Sequence, residues 1–219
     1  MTASSLRQER ENMVKVQLKR RNIADKRVLD AFLKVPRHEF VPEKYRKSAY
    51  TDNPIPIGYD QTISQPYVVA HMLEEVSIQE TDRVLDIGTG SGYAAAVASL
   101  LCDRVYGVER IKPLAERAQR VLTSLGYDNV EVKCGDGFNG WPEKSPFDVI
   151  MLGAAPAEVP DALKEQLADG GRLIAPVGEL QQELVILIRT GHSFEETTGT
   201  MVRFVPMKHG KYSTEENSR

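Results

Sequence analysis

A chain of 219 residues, 41% hydrophobic, 27% charged and with a net charge of −3, holds enough apolar material for one sizeable core, and its length predicts one α/β domain with an extra segment. No apolar run approaches the roughly 18 residues of a membrane span, and Met1-Thr-Ala-Ser-Ser-Leu-Arg7 lacks the apolar stretch of a secretory signal, so a cytoplasmic protein without a membrane partner is expected. Two cysteines, Cys102 and Cys134, read as small buried hydrophobes, and four scattered histidines predict no metal site.

Residues 5–21 read as a charged helix of modest amphipathicity. The stretch from Leu6 to Lys47 carries 13 basic and 6 acidic residues, leaving a balance of −10 for the rest. Such a basic front end suits nucleic acid or a solvated helix face. No aromatic residues interleave with the charges as a stacking platform would require, which favours the solvated face and no nucleic-acid partner. Asp25 is placed to cap a second helix with Val28, Leu29, Phe32, Leu33 and Val35 as its apolar stripe, ended by Pro36. The stretch from Asn53 to Pro66 is punctuated by prolines and glycine and predicts an ordered loop. Pro66 then opens a helix running to about Glu75, on which His71 reads as a packing or surface residue.

From residue 82 short apolar runs alternate with helical periods. Strands are predicted at Arg83–Ile87, Arg104–Val108, Val130–Cys134, Phe147–Leu152, Arg172–Ala175, Leu184–Ile188 and, after the turn-rich segment Thr190–Thr200, at Met201–Val205. Helices are predicted at Gly92–Cys102, Pro113–Leu125 and Pro160–Leu167. The alternation predicts a doubly wound, mainly parallel Rossmann-like α/β sheet with an N-terminal helical extension. Ligands bind such sheets at the carboxyl ends of the strands. Residues 1–78 are expected to carry the helices and an active-site loop, residues 79–219 the core and last strand, together forming one compact unit. The polar end, Lys211–Arg219, is expected to fray.

The run Arg83-Val-Leu-Asp-Ile-Gly-Thr-Gly-Ser-Gly-Tyr93 is a strand entering a helix through Gly88, Gly90 and Gly92, a turn that lets a ligand approach the backbone. Dinucleotide binders want G-x-G-x-x-G, but here the third glycine comes one residue early. Asp86, just before the turn, would oppose a pyrophosphate. It tolerates the cationic amino and sulfonium groups of S-adenosylmethionine, which the arrangement therefore favours. Glu109, at the end of the next strand, can accept from both ribose hydroxyls, and Asp136, after the third, from the adenine amino group. Each acid alone reads equally well as a cap or turn residue; three at successive strand ends favour the ligand reading.

The chain resembles the protein-L-isoaspartate O-methyltransferase family. The matching stretches include Val35-Pro-Arg-His-Glu-Phe-Val-Pro42, Gln61-Thr-Ile-Ser-Gln-Pro66, the glycine turn, Gly135-Asp-Gly137, Gly170-Gly-Arg-Leu173 and Val202-Arg-Phe-Val-Pro206. The resemblance implies methyl transfer to the carboxyl group of L-isoaspartyl residues in damaged proteins and peptides, with D-aspartyl residues as an optional second substrate. It implies Ser64 as the active-site serine, and Thr62, Ile63, Asp86, Gly88, Thr89, Gly90, Glu109, Arg110, Asp136 and Gly137 as cofactor contacts. Ile57, Ser64 and Val205 are the implied substrate contacts, with Arg203–Val205 holding the substrate backbone. Two positions depart from the family pattern: Asp60 replaces a glycine before Gln61, and Gly153 replaces a threonine after the fourth strand.

The chemistry suits these residues. A carboxylate nucleophile is already ionised at neutral pH, so it needs positioning and desolvation but no general base. No His/Asp dyad or metal cluster stands near the motifs. The hydroxyl of Ser64 can donate to one oxygen of a substrate carboxylate; from spacing alone, capping the helix opened by Pro66 is an equal reading. A monomer is expected. Two alternatives stay open: a methyltransferase of this fold acting on a small molecule or nucleic acid, and a non-catalytic binding module.

Overall fold

The computed structural model describes residues 2–212. Helix α1 (Ala3–Met13) is capped by Thr2 and continues without a break through a wide turn at Val14–Leu18 and a tight one at Lys19–Arg21, where Asn22 ends it in the left-handed region. Helix α2 (Lys26–Lys34) begins as predicted: the Asp25 carboxylate accepts from the amides of Arg27 and Val28 at 2.7 and 3.4 Å. It stops where Pro36 forbids a helical Val35.

The stretch expected to be an irregular loop is instead a small hairpin, β1 (Ile55–Gly58) against β2 (Gln61–Ile63). Its tip places Tyr59 and Asp60 at φ 55°, the double left-handed turn that suits tight hairpins. Asp tolerates that conformation better than most residues, which is why it can stand where a glycine is usual. Alternation of Ile55 and Ile57 inward with Pro56 and Gly58 outward gives the hairpin its buried face. Helix α3 (Pro66–Glu75) follows, and Glu74 ties it to the start of α2 by accepting from the amides of Ala24 and Asp25.

The main sheet contains β3 (Arg83–Ile87), β4 (Arg104–Glu109), β5 (Val130–Cys134), β6 (Phe147–Leu152), β7 (Leu167–Val177), β8 (Gln182–Thr190) and β9 (Ser193–Val202), in the order β5-β4-β3-β6-β7-β8-β9. The first five run parallel and the last two antiparallel. Helices α4 (Tyr93–Ala98), α5 (Lys112–Ser124) and α6 (Asp161–Glu165) supply the crossovers. Side chains alternate through the sheet: Val84, Val105, Val149 and Ile174 join one core with the N-terminal helices, α3, α4 and α5. Leu85, Ile87, Tyr106 and Ile150 join a second core with Trp141 and Leu163.

Three predicted elements shift. Most of the turn-rich segment Thr190–Thr200 is strand β9, paired along its length with β8, and Arg203–Val205 lies beyond the strand. The segment is polar because it is an exposed edge, which the apolar alternation used to find strands does not detect. Leu167 opens β7 instead of closing α6. Cys102 is buried, whereas Cys134 is half-exposed because β5 is the other edge of the sheet. Lys211 and Tyr212 are held rather than frayed, the Tyr212 amide donating to the Arg110 carbonyl at 3.1 Å; the rest of that predicted frayed end lies outside the described residues.

Candidate active site

The strand order reverses at β3, which lies between β4 and β6, and the glycine turn stands at its carboxyl end. Gly88, Gly90 and Gly92 all have positive φ. Of these, Gly92 also answers to packing: a Cβ there would sit 3.2 Å from Leu122 and 3.3 Å from Ala118 of α5, so a side chain would push the crossover helix away. The turn is pinned by main-chain and carboxylate partners. Gly88 donates to the Val108 carbonyl at 2.8 Å, Thr89 Oγ1 to the Asp86 carbonyl at 3.0 Å, and Gly90 to Glu109 Oε2 at 2.8 Å. The other oxygen of Glu109 accepts from the Ile111 amide at 2.9 Å.

Asp86 and Glu109 are both nearly inaccessible to solvent. Burial, with Glu109 alongside, pushes the Asp86 carboxyl up to about 7, and burial also raises Glu109. Asp86 Oδ2 has no hydrogen-bond partner. A buried, unpartnered carboxylate oxygen beneath a glycine turn fits a cationic ligand group and fits a phosphate badly.

A cavity of about 60 Å³ lies over this turn, lined by Thr62, Gly88, Gly90, Glu109, Arg110, Gly137 and Val205 among the predicted residues, with Gln61, Gly153, Met207 and Lys208 completing it. Asp136 stands beside it as a turn residue: Oδ1 accepts from the Phe138 amide at 2.9 Å and Oδ2 from the Gly210 amide at 2.7 Å. The stretch from Met207 to Tyr212 closes this end. His209 stacks on Phe138 at 3.6 Å, and Arg110 donates to the Gly210 carbonyl at 3.1 Å.

A second cavity of about 600 Å³ adjoins the first and shares Thr62, Gly153 and Val205 with it. Ser64 lines this cleft. Helix α3 begins at Gln65 with no side-chain cap, and the Ser64 hydroxyl makes no hydrogen bond among the described residues, so the capping reading of Ser64 is overturned. Gly153 sits at the junction. A Cβ there would lie 3.0 Å from the Gly88 carbonyl oxygen, so the missing side chain leaves this junction close to bare backbone.

Thr89, Asp86, Ile57 and Ile63 are not in the walls of either cavity. Ile57 and Ile63 are buried in the core beneath the hairpin, with Ile57 against the underside of the turn at Gly90. The sequence analysis missed the wall opposite Ser64. Arg21 stacks over the Tyr67 ring at 3.4 Å while pairing with Asp52 at 2.7 Å, and the Tyr67 and His71 rings stack in parallel at 5.8 Å. His71, expected as a packing or surface residue, lines the cleft together with Tyr67 and pairs with Glu75 at 3.6 Å. A histidine–acid pair therefore does stand near the motifs, brought to one helix face by i,i+4 spacing. The solvated-face reading of the basic front end fails at Arg37, which is wholly buried; Arg21 stays exposed while lining the open cleft.

Residues 8–212 match the model of the protein family described as protein-L-isoaspartate(D-aspartate) O-methyltransferase. The chain belongs to that family. A protein-L-isoaspartate O-methyltransferase of Synechococcus sp. (strain JA-2-3B'a(2-13)) is 52% identical over 207 residues, covering 91% of this chain and 85% of its own. One from Opitutus terrae is 49% identical over 205 residues, covering 93% and 88%. Among solved structures, a protein-L-isoaspartate O-methyltransferase superposes with a TM-score of 0.82 at 34% identity, covering 90% of this chain, which spans 65% of that longer one. A putative Plasmodium falciparum member of the family, solved in complex with S-adenosyl-L-homocysteine, superposes with a TM-score of 0.81 at 26% identity, covering 91% and 98%.

Proposed function

We propose that this chain transfers the methyl group of S-adenosylmethionine to the free carboxylate of L-isoaspartyl residues in damaged proteins and peptides, forming the ester that initiates their repair. The observation that carries the reading is the unpartnered Ser64 hydroxyl on the wall of a cleft that meets the glycine-turn cavity at Thr62, Gly153 and Val205. When bound, the cofactor supplies an electrophilic methyl group on a sulfonium. Glu109 and the turn at Gly88–Gly90 are the groups that would hold it, with Arg110, Gly137 and Thr62 at its margins and Asp86 as the buried counter-charge.

Ser64 donates to one oxygen of the substrate carboxylate and leaves the other free to attack. The nucleophile is ionised before it arrives, so the site contributes aim and exclusion of water rather than a base. His71 then borders the substrate and moves no proton. Beyond Ser64, the non-strand segment Arg203–Val205 offers main-chain groups to an extended peptide, and backbone pairing carries little side-chain information, which suits a repair enzyme facing many sequences. Residues 1–78 serve the substrate and residues 79–219 chiefly the cofactor.

Incubation with methyl-labelled S-adenosylmethionine and an isoaspartyl peptide tests the reading. A base-labile methyl ester on that peptide, absent from the ordinary aspartyl peptide, is the expected result; equal labelling of both, or none, would overturn it.

A further inference from the structure

Arg37 begins the short turn Arg37–Glu39 and is wholly buried against Tyr93, whose ring in turn packs edge-on against Phe32 and Phe40. Its Nε donates to the Ala49 carbonyl at 2.8 Å and its Nη2 to the Ser64 carbonyl at 2.7 Å. The guanidinium lies 4.7 Å from the centre of the Tyr93 ring, the first residue of α4 after the glycine turn. Among the described residues Arg37 makes no salt bridge and its Nη1 has no hydrogen-bond partner; Asp52, paired with Arg21, acts on it only through space, and burial lowers it to about 10. A buried cation without a direct ion pair is a cost to the fold that apolar packing would avoid, and its two carbonyl bonds are what it offers in return.

The use lies at Ser64. Among the described residues, the bond from Arg37 is the one hydrogen bond Ser64 makes, since its hydroxyl has none and α3 opens only at Pro66, with Gln65 as its N-cap. We propose that Arg37 is a positioning residue: its planar fork bridges the Ala49 and Ser64 carbonyls, fixes the peptide plane of Ser64, and so aims the serine hydroxyl into the cleft. Rotation of that unit about its neighbours would swing Oγ away from the carboxylate oxygen it has to meet. The rigid fork presents two separate nitrogens, Nε and Nη2, at a fixed spacing to the two carbonyls, whereas a lysine ammonium or a glutamine amide has a single donor nitrogen and cannot reproduce that spacing. The inference rests on Ser64 orienting the substrate carboxylate.

The test uses Arg37→Lys, Arg37→Gln, Ser64→Ala and the double variant Ser64→Ala/Arg37→Lys of the full chain. It measures kcat and KM on an isoaspartyl peptide, S-adenosylmethionine affinity by calorimetry, and thermal midpoint. Both Arg37 variants are expected to lower kcat about tenfold while cofactor affinity stays within about twofold. In the Ser64→Ala background, Arg37→Lys is expected to cost less than about twofold, because the group it aims is gone. Cofactor affinity falling in step with kcat, or the Arg37 loss multiplying with the Ser64 loss, would make Arg37 a core residue only. So would failure of both Arg37 variants to fold. Unchanged turnover in Ser64→Ala would instead sink the reading of Ser64; an impaired Ser64→Ala beside intact Arg37 variants would sink this inference alone.

Discussion

At the cofactor end, the run from Asp86 to Tyr93 is one contiguous strand, turn and helix, held by Gly90 and Ile111 on Glu109, Thr89 on the Asp86 carbonyl, and Phe138 and Gly210 on Asp136, with the Asp86 carboxylate Oδ2 left over among the described residues. At the substrate end, Ser64 of the hairpin loop faces Arg21 from the first helix, Tyr67 and His71 from α3, and the stretch after β9. There the Ser64 hydroxyl has no partner among the described residues. A contiguous site pinned at its turn is stiff and reads a constant ligand; a cleft pieced together from stretches as far apart as Arg21, Ser64–His71 and Thr200–Val205, with a free hydroxyl and main chain on its walls, takes ligands that share only one group.

Four measurements sharpen or break that contrast, from the largest effect down. Ser64→Ala is expected to lower kcat by one to two orders of magnitude with cofactor affinity nearly unchanged, since only the substrate end loses a donor; loss of cofactor affinity in equilibrium dialysis would mean the two ends are not separable. Glu109→Gln is expected to weaken S-adenosylmethionine by roughly tenfold, the order of one charge-assisted hydrogen bond, and to leave the peptide KM alone. Were only the peptide KM to move, Glu109 would belong to the other end.

The third concerns pH. Asp86 is raised to about 7, so its protonated form is favoured in the folded protein and a cationic ligand favours the ionised one. Cofactor affinity is therefore expected to rise with pH up to about 7, by several-fold between pH 6 and 7, and to level off above. The sign for stability is opposite: without cofactor, the contribution of Asp86 is fully present below the ordinary carboxylate range and is lost as pH rises through about 7. Asp86→Asn should flatten both curves, and calorimetric titrations across this range decide it. The smallest effect is at His71→Gln, where a change of about two- to threefold in peptide KM with kcat preserved is expected, because a carboxylate needs no base. A collapse of kcat in steady-state assays would make His71 a proton carrier.

The glycine turn was legible because its function is local: spacing of glycines, the acid before them and the acids ending the next two strands all sit within short stretches. Ser64 was legible only through its family motif, and its freedom from capping had to be seen. The hairpin at Ile55–Ile63 and strand β9 escaped because prolines in one and exposed polar residues in the other mask the period-two pattern. Arg21, Tyr67 and His71 escaped because helical spacing cannot say which neighbour a face will meet.

By itself the sequence determined the α/β alternation, the cofactor turn and the buried acids near it, since hydrophobic period and backbone demands are written residue by residue. Which arginines of the basic front end meet the site was decided only in the tertiary structure: Arg21 borders the cleft while still exposed, and Arg37 leaves the solvent to grip Ser64 from within. The reason is physical: a side chain's partners are set by what the rest of the chain brings against it, and a buried guanidinium finds its carbonyls 12 and 27 residues away.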